Sequence, residues 1–462
     1  PDSTAWTNEP DPNGRRVNIG LYGGSPWASM SETNAALHLM SLNRGGVASG
    51  LVALNWQAAG QATSHLVRIE VTLDNGTSWL TVADGVAAAL GGVVWNSLAA
   101  GSSPQAKWRV ADLDDTNIVA VSELIFVLHN GPISYYVNDE FPDNDIYCNG
   151  PGASTNSGIT AEAPKRWLSE IVDTYDLEPG DIVYVDVGRY QTALPTTIGD
   201  LDAGGISQDP AQQVTIQGCT NTQAGESLFI ISSPAANGLQ LLDSYGIRLN
   251  SLSVINASNG VYVSNGFFIA ANWLNLRGCY NGAAVQYCSN VLFNHSALVG
   301  NRNAGVWFAG NTLGSLGVES SLFWSNRFGV FLHQGYLAVS NTLMCMGVSN
   351  SFGYYVRQDA AVKVLRCDYN DFYIQREGAA VGGFQSGAGT SLRTDIYYTV
   401  SAWVDDTGQD PHSMENDPQL ADPGNGDFHL KSTGGRYRPG VGWTYDAVSS
   451  PLIDSGNSSS AW

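Results

Sequence analysis

The sequence predicts an all-β protein that combines a right-handed parallel β-helix, with three strands per coil, and an immunoglobulin-like β-sandwich. A glycine recurs every 22 to 25 residues between Gly238 and Gly378, and short strand-like runs separated by turn residues fill residues 45–130. Glycine is abundant, at 52 of 462 residues, and only 14% of residues are charged, against roughly 25% in an average soluble domain. This profile is typical of an all-β extracellular protein.

The charge balance and the hydrophobic pattern exclude two classes of function. Acidic residues outnumber Lys and Arg by 42 to 21, which gives a net charge of −21. Because such a chain cannot neutralise a phosphate backbone, we expect no nucleic-acid partner. The sequence also lacks the run of about 20 apolar residues that a membrane helix needs. We therefore expect an extracellular or cell-surface location without a membrane span.

Five regions follow one another along the predicted chain. Residues 1–44 form an N-terminal segment that completes or continues a β-helix end, which could belong to a preceding unit. Residues 45–130 form the immunoglobulin- or fibronectin-like sandwich, and residues 131–179 form a linker and the N-terminal cap of the β-helix. Residues 180–400 form the β-helix itself. Residues 401–462 form its C-terminal end and a junction segment.

The sandwich is predicted from its turn and its tryptophans. Asp74-Asn75-Gly76 is a strong short-range hairpin signal between two apolar runs. Strand-like runs at this spacing over about 85 residues are typical of a seven-strand sandwich. The side chains expected in its core are those of Trp56, Trp79, Trp95 and Trp108.

The β-helix is predicted from its glycines. Each recurring glycine is followed by an apolar-x-apolar triplet, such as Val261-Tyr262-Val263. One coil of three short strands per period buries little alone, but stacked coils bury a continuous core. Left-handed backbone angles at the corners would explain the glycines. The expected corner glycines are Gly238, Gly260, Gly282, Gly305, Gly329, Gly353 and Gly378. A short amphipathic helix at residues 164–172 is expected to cap the stack, whose open strand edges must be covered.

The six cysteines allow two interpretations. Cys345 and Cys367 lie 22 residues apart, close to one coil, and are the best disulfide candidates. The alternative is that all six are free thiols buried in the core. No CxxC pair or His partner at zinc spacing is present.

An acidic loop between sandwich and β-helix is a candidate calcium site. Asp139, Asp143 and Asp145 offer the hard oxygen ligands that Ca²⁺ prefers. The alternative is a solvated acidic linker.

The two ends of the chain have similar short sequences. Residues 3–6 read STAW and residues 459–462 read SSAW, which suggests one period of a longer array. The segments GDIVYV at 180–185, GDFHLKS at 426–432 and SPLIDSG at 450–456 resemble, in this order, β-helix repeat proteins of large bacterial cell-surface or secreted chains. In those proteins the last segment is typically followed by a sequence similar to PNGRRVNIGLYGG. In this chain that sequence lies at residues 12–24.

This resemblance implies that the sequence expected to follow residue 462 is one like that at the start of this chain. DNGTSW at residues 74–79 is also similar to the spacer modules of such proteins. The first hypothesis is therefore a structural unit of a tandem array or head-to-tail polymer, forming a filament, stalk or surface layer from identical copies. The expected inter-unit junction residues are Trp6, Asn18, Gly20, Tyr22, Ile453, Asp454 and Trp462.

Two further hypotheses concern polysaccharides. An adhesin would present an aromatic stripe to a surface polysaccharide, and a lyase or hydrolase would need arginines and acids converging in one groove. The arginines of the repeats fall at different offsets, and Asp368 and Asp371 are more simply explained as turn residues. Asp410-Pro411-His412-Ser413 is similar to the Asp-Pro-His-Asp motif of uronan epimerases but lacks its last Asp. No catalytic residue is therefore assigned, and the chain is expected not to be an enzyme.

Overall fold

The structure is a computed structural model that describes residues 6–14, 17–199, 204, 209–221, 224–310, 314–357, 363–386, 393–438 and 440–458. The chain divides into two compact units, Pro1–Ile133 and Ser134–Trp462. Trp462 and the two four-residue end segments, apart from Trp6, lie outside the described residues.

The first unit contains two β-sheets around one hydrophobic core. The strands are β1 Ala36–Leu39, β2 Val47–Ala48, β3 Leu51–Ala59, β4 Leu66–Thr72, β5 Leu80–Ala87, β6 Gly92–Asn96, β7 Ser103–Asp112, β8 Val119–Val121 and β9 Phe126–Leu128. One sheet has the order β1-β3-β6, and the other has the order β2-β9-β7-β4-β5 with β8 paired to β7. Because β1 begins at Ala36 and pairs with β3, this β-structure starts before residue 45.

Three of the four predicted core tryptophans lie in this core. Trp56, Trp95 and Trp108 are buried, at 2%, 8% and 0% exposure. Trp79 was predicted wrongly: it is only half-buried, and the Arg109 guanidinium lies 4.1 Å from its ring centre. The Asp-Asn-Gly turn lies between the antiparallel strands β4 and β5 as expected, with positive φ at Asn75 and Gly76.

The second unit is a parallel β-helix, as predicted. Its helices are α1 Leu168–Val172 and α2 Val400–Thr407. Its strands are β10 Ser134–Val137, β11 Ile182–Val185, β12 Gly188–Thr192, β13 Thr196–Ile198, β14 Val214–Gln217, β15 Ser227–Ile231, β16 Leu239–Leu242, β17 Tyr245–Asn250, β18 Leu252–Ile255, β19 Asn259–Ser264, β20 Phe267–Asn272, β21 Asn275–Arg277, β22 Asn281–Gln286, β23 Ser289–Asn294, β24 Ala297–Val299, β25 Ala304–Ala309, β26 Ser315–Glu319, β27 Leu322–Trp324, β28 Phe328–Ser340, β29 Leu343–Met346, β30 Phe352–Arg357, β31 Lys363–Asp368, β32 Asp371–Ile374, β33 Ala380–Ser386, β34 Arg393–Tyr397, β35 Leu420–Asp422, β36 Asp427–Leu430, β37 Arg436–Arg438 and β38 Gly442–Thr444.

Each coil contributes one strand to each of three parallel sheets. Sheet 1 runs from β10 through β17, β20, β23 and β26 to β31. Sheet 2 has the order β12-β15-β18-β21-β24-β27-β29-β32. Sheet 3 runs from β13 to β33, and β28 is long enough to pair in both sheets 1 and 3. Alternate side chains of every strand point into the coil, so each sheet buries one face.

Six of the seven recurring glycines form a stack along sheet 3 and do not occupy the predicted left-handed corners. Of the seven, only Gly378 has a positive φ, of 72°. In the other six, a Cβ atom would lie 2.5 to 2.8 Å from a backbone carbonyl oxygen of the next coil. Close approach of successive coils therefore explains these glycines. Gly378 is outside the stack, because the residue of the following coil in register with Gly353 is Val381.

Both ends of the β-helix carry a helix. The helix α1 is shorter than the predicted 164–172; it buries Leu168 and Ile171 and contacts β10 and β13. At the other end, α2 buries Trp403, whose ring stacks on Tyr354 at 5.5 Å and on Phe384 at 5.3 Å. The sequence did not predict α2.

The predicted disulfide is wrong. Cys345 and Cys367 are free, buried thiols, as are the other four cysteines. Cys345 lies in β29 of sheet 2, where it is in register with Trp324 and Tyr373, whereas Cys367 lies in β31 of sheet 1 beside Val339. A separation of one period in sequence does not place two residues in the same sheet.

Candidate functional site

A cleft of about 1350 Å³ runs along sheet 2 of the second unit. Its three surfaces come from different parts of the chain. One wall is a column of corner residues between sheets 1 and 2, the floor is the first residue of successive sheet 2 strands, and the other wall is the C-terminal segment around the β35–β36 hairpin.

The corner column places aromatic and polar side chains above one another. Trp273, His295, Ser320, Asn341 and Tyr369 precede successive sheet 2 strands, and all five have positive φ, between 47° and 58°. Trp273 is 62% exposed, and its ring stacks on that of His295 at 4.4 Å. Positive φ is uncommon for bulky side chains, but it recurs at corners of this β-helix outside the cleft, such as Asn265 and Tyr287. What distinguishes this column is therefore the exposed, stacked pair of rings.

The floor is set by strand register. Asn275, Ala297, Leu322, Leu343 and Asp371 follow one another in register across five coils and all line the cleft. An amide group and a carboxyl group thus stand at its two ends, with small and apolar side chains between them.

Asp371 is the unusual group of the floor. It is 4% exposed, and one carboxyl oxygen accepts a hydrogen bond from the amide of Asn416 at 2.8 Å. Burial raises its pKa to about 7, despite that hydrogen bond. A carboxyl group that titrates near neutrality in a cleft is a candidate for proton transfer.

The hairpin wall carries a linked group of charges. Asp427 pairs with Nδ1 of His429 at 2.6 Å and with Arg436 at 3.0 Å, and Arg436 also reaches Asp446. Burial would raise the pKa of Asp427, but the hydrogen bonds from His429 and the charge of Arg436 outweigh it and lower that pKa. This wall therefore presents an ionised carboxylate beside a histidine.

Two contacts hold the hairpin wall against the β-helix. The Phe428 ring lies 5.6 Å from that of Trp324 on sheet 2. Further along, the amide of Asn457 donates to the side chain of Asn341, at 2.7 Å, and the Asn341 side chain donates back to the Asn457 carbonyl. The C-terminal segment is thereby tied to the corner column itself.

A charged pair lies in one end of the cleft, and a second lies beside the other end. At one end Arg277 pairs with Glu226 at 2.6 Å. At the other, Tyr369 stacks on His412 at 4.8 Å, and both the amide and Nδ1 of His412 bind Asp368. The expectation of Asp368 and Asp371 as simple turn residues was therefore incomplete: one holds His412, and the other lies in the cleft floor.

The corner column was not predicted from the sequence. Its signal was present, because Trp273, His295, Ser320, Asn341 and Tyr369 recur at intervals close to those of the glycines. Rings next to hydrogen-bonding groups suit a ligand that has apolar ring faces and polar edges.

The predicted calcium ligands do not line this cleft. Asp139 accepts from the amides of Phe141 and Arg189, Asp143 is exposed, and Asp145 accepts from the side chain of Asn138. Burial, with repulsion from neighbouring acids, raises the pKa of Asp145 to about 6. In the part of the chain that the structure describes, the one group of three ligand atoms within 4.8 Å is His65, Asp112 and Asp114 in the first unit.

The predicted junction residues fall in both units. In the first, Glu9 is 5% exposed and accepts from the amides of Asn18 and Gly24, each at 2.7 Å. Gly20 has a φ of 128°, and Trp6 and Tyr22 are exposed. In the second, Ile453 is exposed and Asp454 has a φ of 59°.

The fold and site define a parallel β-helix protein with a lateral cleft. Residues 384–456, which include the hairpin wall, match the family described as "Disaggregatase related". A solved alginate lyase from Paenibacillus sp. str. FPU-7 is similar over 46% of this chain and 86% of that one, with a TM-score of 0.36 and 10% identity. No curated protein matches this chain. The described helices include none long and apolar enough to cross a membrane.

Proposed function

We propose that the second unit binds a polysaccharide in the cleft along sheet 2. The observation that carries this proposal is the corner column, which places the exposed Trp273 ring, His295 and Tyr369 along one cleft wall. Neighbouring strands lie about 4.8 Å apart, so the four steps from Trp273 to Tyr369 span about 19 Å. A site of this length suits a chain of several sugar rings better than a small metabolite.

The cleft's charges support a ligand rich in hydroxyl groups. Acids and arginines on its walls are mostly paired with each other, as in Glu226–Arg277 and Asp427–Arg436. Paired charges offer many hydrogen-bonding atoms without a strong net field. This arrangement favours a polar neutral or mixed-charge chain.

Replacing Trp273 by Ala tests the proposal. We expect polysaccharide affinity to fall about tenfold or more, because an exposed aromatic side chain commonly carries a large share of the affinity of a binding site. Affinity electrophoresis against a panel of soluble polysaccharides measures the change. The matched control is Tyr287→Ala, since Tyr287 is also exposed, at 63%, and has positive φ, but lies outside the cleft. If both variants migrate like the parent protein on every polysaccharide that the parent binds, the cleft is not the binding site.

Cleavage of the bound chain is a second candidate function. It is favoured by Asp371 on the floor and by the Asp427–His429 pair on the facing wall, since acid–base catalysis needs one proton donor and one acceptor. Incubation of the same polysaccharides with the protein, followed by assay for new reducing ends or unsaturated sugars, separates binding from cleavage. Asp427→Asn should abolish product formation while binding persists.

We retain the extracellular head-to-tail assembly as a third proposal, with the first unit as an immunoglobulin-like spacer. It is supported by large apolar side chains that are exposed in both predicted junction regions. Ile19, Leu21 and Trp27 are 102%, 89% and 77% exposed, and Trp443 and Tyr445 are 71% and 73% exposed. Apolar patches of this kind commonly mark protein interfaces, and a heterologous contact between copies generates a filament.

Electron microscopy and light scattering over a range of concentrations test the assembly. We expect the parent protein to associate end to end and a variant with Ile19→Ser, Leu21→Ser and Trp27→Ser to remain monomeric. Leu98→Ser is the control, because Leu98 is 63% exposed elsewhere in the first unit. A parent protein that stays monomeric at high concentration would exclude the assembly.

Calcium binding by Asp139, Asp143 and Asp145 is likewise retained as a proposal. It is supported by the buried oxygens Oδ1 of Asn138 and Oδ1 of Asp145, which have no hydrogen-bond partner among the described residues. Binding to the folded state raises thermal stability, so the melting temperature should rise with added Ca²⁺ and should not rise in Asp145→Asn.

A further inference from the structure

A second groove, of about 530 Å³, lies on the outer face of sheet 1. The sequence spacing suggested that the arginines of the β-helix are scattered, but the register places two of them in one row. Successive strands contribute the row Arg248, Ala270, Leu292, Gly317, Ala338 and Arg366. An arginine therefore stands at each end of four residues that are mostly small.

The groove owes its depth to those small residues. Gly317 has no side chain, and Ala270 and Ala338 have only a methyl group, so the sheet surface stays low between the two arginines. Asn272, Asn290, Ser315 and Tyr336 line its sides. These amide and hydroxyl groups can bind hydroxyl groups of a ligand.

The charge of this groove is opposite to that of the whole chain. Its lining includes two arginines and, among the described residues, no Asp or Glu. In a protein with 42 acidic and 21 basic residues, a long acid-free groove with arginines at both ends is a local exception. Charge complementarity therefore favours an anionic ligand.

Arg248 is held in position at one end of the groove. Its Nε donates to Oε1 of Gln213 at 3.0 Å, and Gln213, only 2% exposed, donates from Nε2 to the carbonyl of Phe268 at 3.3 Å. Burial lowers the pKa of Arg248, and the charge of Asp209 opposes that effect. A fixed guanidinium loses little freedom when it binds a carboxylate.

Arg366 is exposed at the other end. Two residues further along the same strand, Asp368 already accepts hydrogen bonds from the amide and Nδ1 of His412. Five strand spacings separate Arg366 from Arg248, which is about 24 Å. A small anion cannot reach both arginines, whereas a chain with repeated negative charges can.

We propose that this groove binds an acidic polysaccharide chain, with carboxylate groups of the sugar rings on Arg248 and Arg366. The site is separate from the cleft on sheet 2 and does not depend on the function proposed for that cleft. Nucleic acid is disfavoured by the net charge of −21. The hydroxyl and amide groups between the arginines favour a sugar chain over an acidic peptide.

The test compares acidic and neutral probes on the purified 462-residue chain. Alginate and polygalacturonate are the acidic polysaccharides, a neutral glucan tests the role of charge, and polyglutamate tests the role of the sugar. We expect both acidic polysaccharides to bind, with affinity that falls as salt rises. We expect the neutral glucan and polyglutamate to bind at least tenfold more weakly at this groove.

Variants locate the binding. Arg248→Gln with Arg366→Gln should weaken acidic polysaccharide binding at least tenfold, and Arg366→Glu alone should weaken it similarly without changing the half-buried Arg248. Arg302→Gln is the matched control, because Arg302 is exposed on the same β-helix but outside the groove. Trp273→Ala should leave this binding unchanged, which separates it from the cleft.

Three results would overturn the proposal. One is equal binding of alginate by the parent protein and both arginine variants. Another is polyglutamate binding as tight as alginate binding and equally sensitive to the arginines, which would assign the groove to acidic peptides. The third is loss of alginate binding in Trp273→Ala but not in the arginine variants, which would place the acidic chain in the other cleft.

Discussion

Replacing Gly260 by Ala is expected to destabilise the second unit by about 3 kcal/mol, because the new methyl group has no space. Its Cβ would lie 2.6 Å from the carbonyl oxygen of Gly282, and that oxygen belongs to the backbone of the next coil. A flexible side chain could move aside, but this carbonyl is fixed between hydrogen-bonded strands. Thermal or urea denaturation of the parent protein and the variant measures the loss.

The matched control for this substitution is Gly199→Ala in the same unit. A Cβ at Gly199 meets no atom within 4 Å, and its φ is not in the left-handed range. Its unfolding midpoint should stay close to that of the parent protein. If Gly260→Ala is as stable as Gly199→Ala, close packing of the coils is not the reason for the repeated glycines.

Replacing Asp371 by Asn is expected to remove a pH-dependent loss of stability. The pKa of Asp371 rises from 3.8 to about 7 on folding. The folded state therefore favours the protonated carboxyl. That contribution is fully present below about pH 4 and is lost as the pH rises to about 7. Above that pH the ionised, buried group lowers the free energy of unfolding by about 4 kcal/mol relative to acidic pH.

The measurement is the free energy of unfolding of both proteins at pH 4 and pH 8. The difference in unfolding free energy between Asp371→Asn and the parent protein should shift by about 4 kcal/mol in favour of the variant as the pH rises. Other titrating groups remain in both proteins, so they cancel in this comparison. A parallel pH dependence in the parent protein and Asp371→Asn would contradict the raised pKa.

The β-helix could be predicted because stacked coils impose a period on the sequence. Gly238, Gly260 and Gly282 repeat at the length of one coil, and each must lack a side chain at the same place. The reason for the glycines could not be read in the same way, because a glycine at a corner and a glycine at a tight contact look identical in sequence. The structure shows the left-handed corners at residues such as Asn265, Trp273 and His295.

The cleft could be predicted only in part. Register within sheet 2 follows from the period, so the alignment of Trp273 with His295 was in principle accessible. The hairpin wall was not, because Asp427 and His429 lie more than 50 residues beyond the nearest floor residue, Asp371. No periodicity connects that segment to the coils, and its position depends on contacts such as Trp324 with Phe428.

The corner column also bears on how such a cleft could change in length. Each coil supplies one corner residue and one floor residue, so duplication of a single period would add one contact position to a bound chain. The added length would be about 4.8 Å per coil. Loss of a period would shorten the cleft by the same step without disturbing the register of the others. The number of coils thus sets the number of ligand units held along sheet 2. The corner and floor side chains of each coil set which kind of ligand unit binds there.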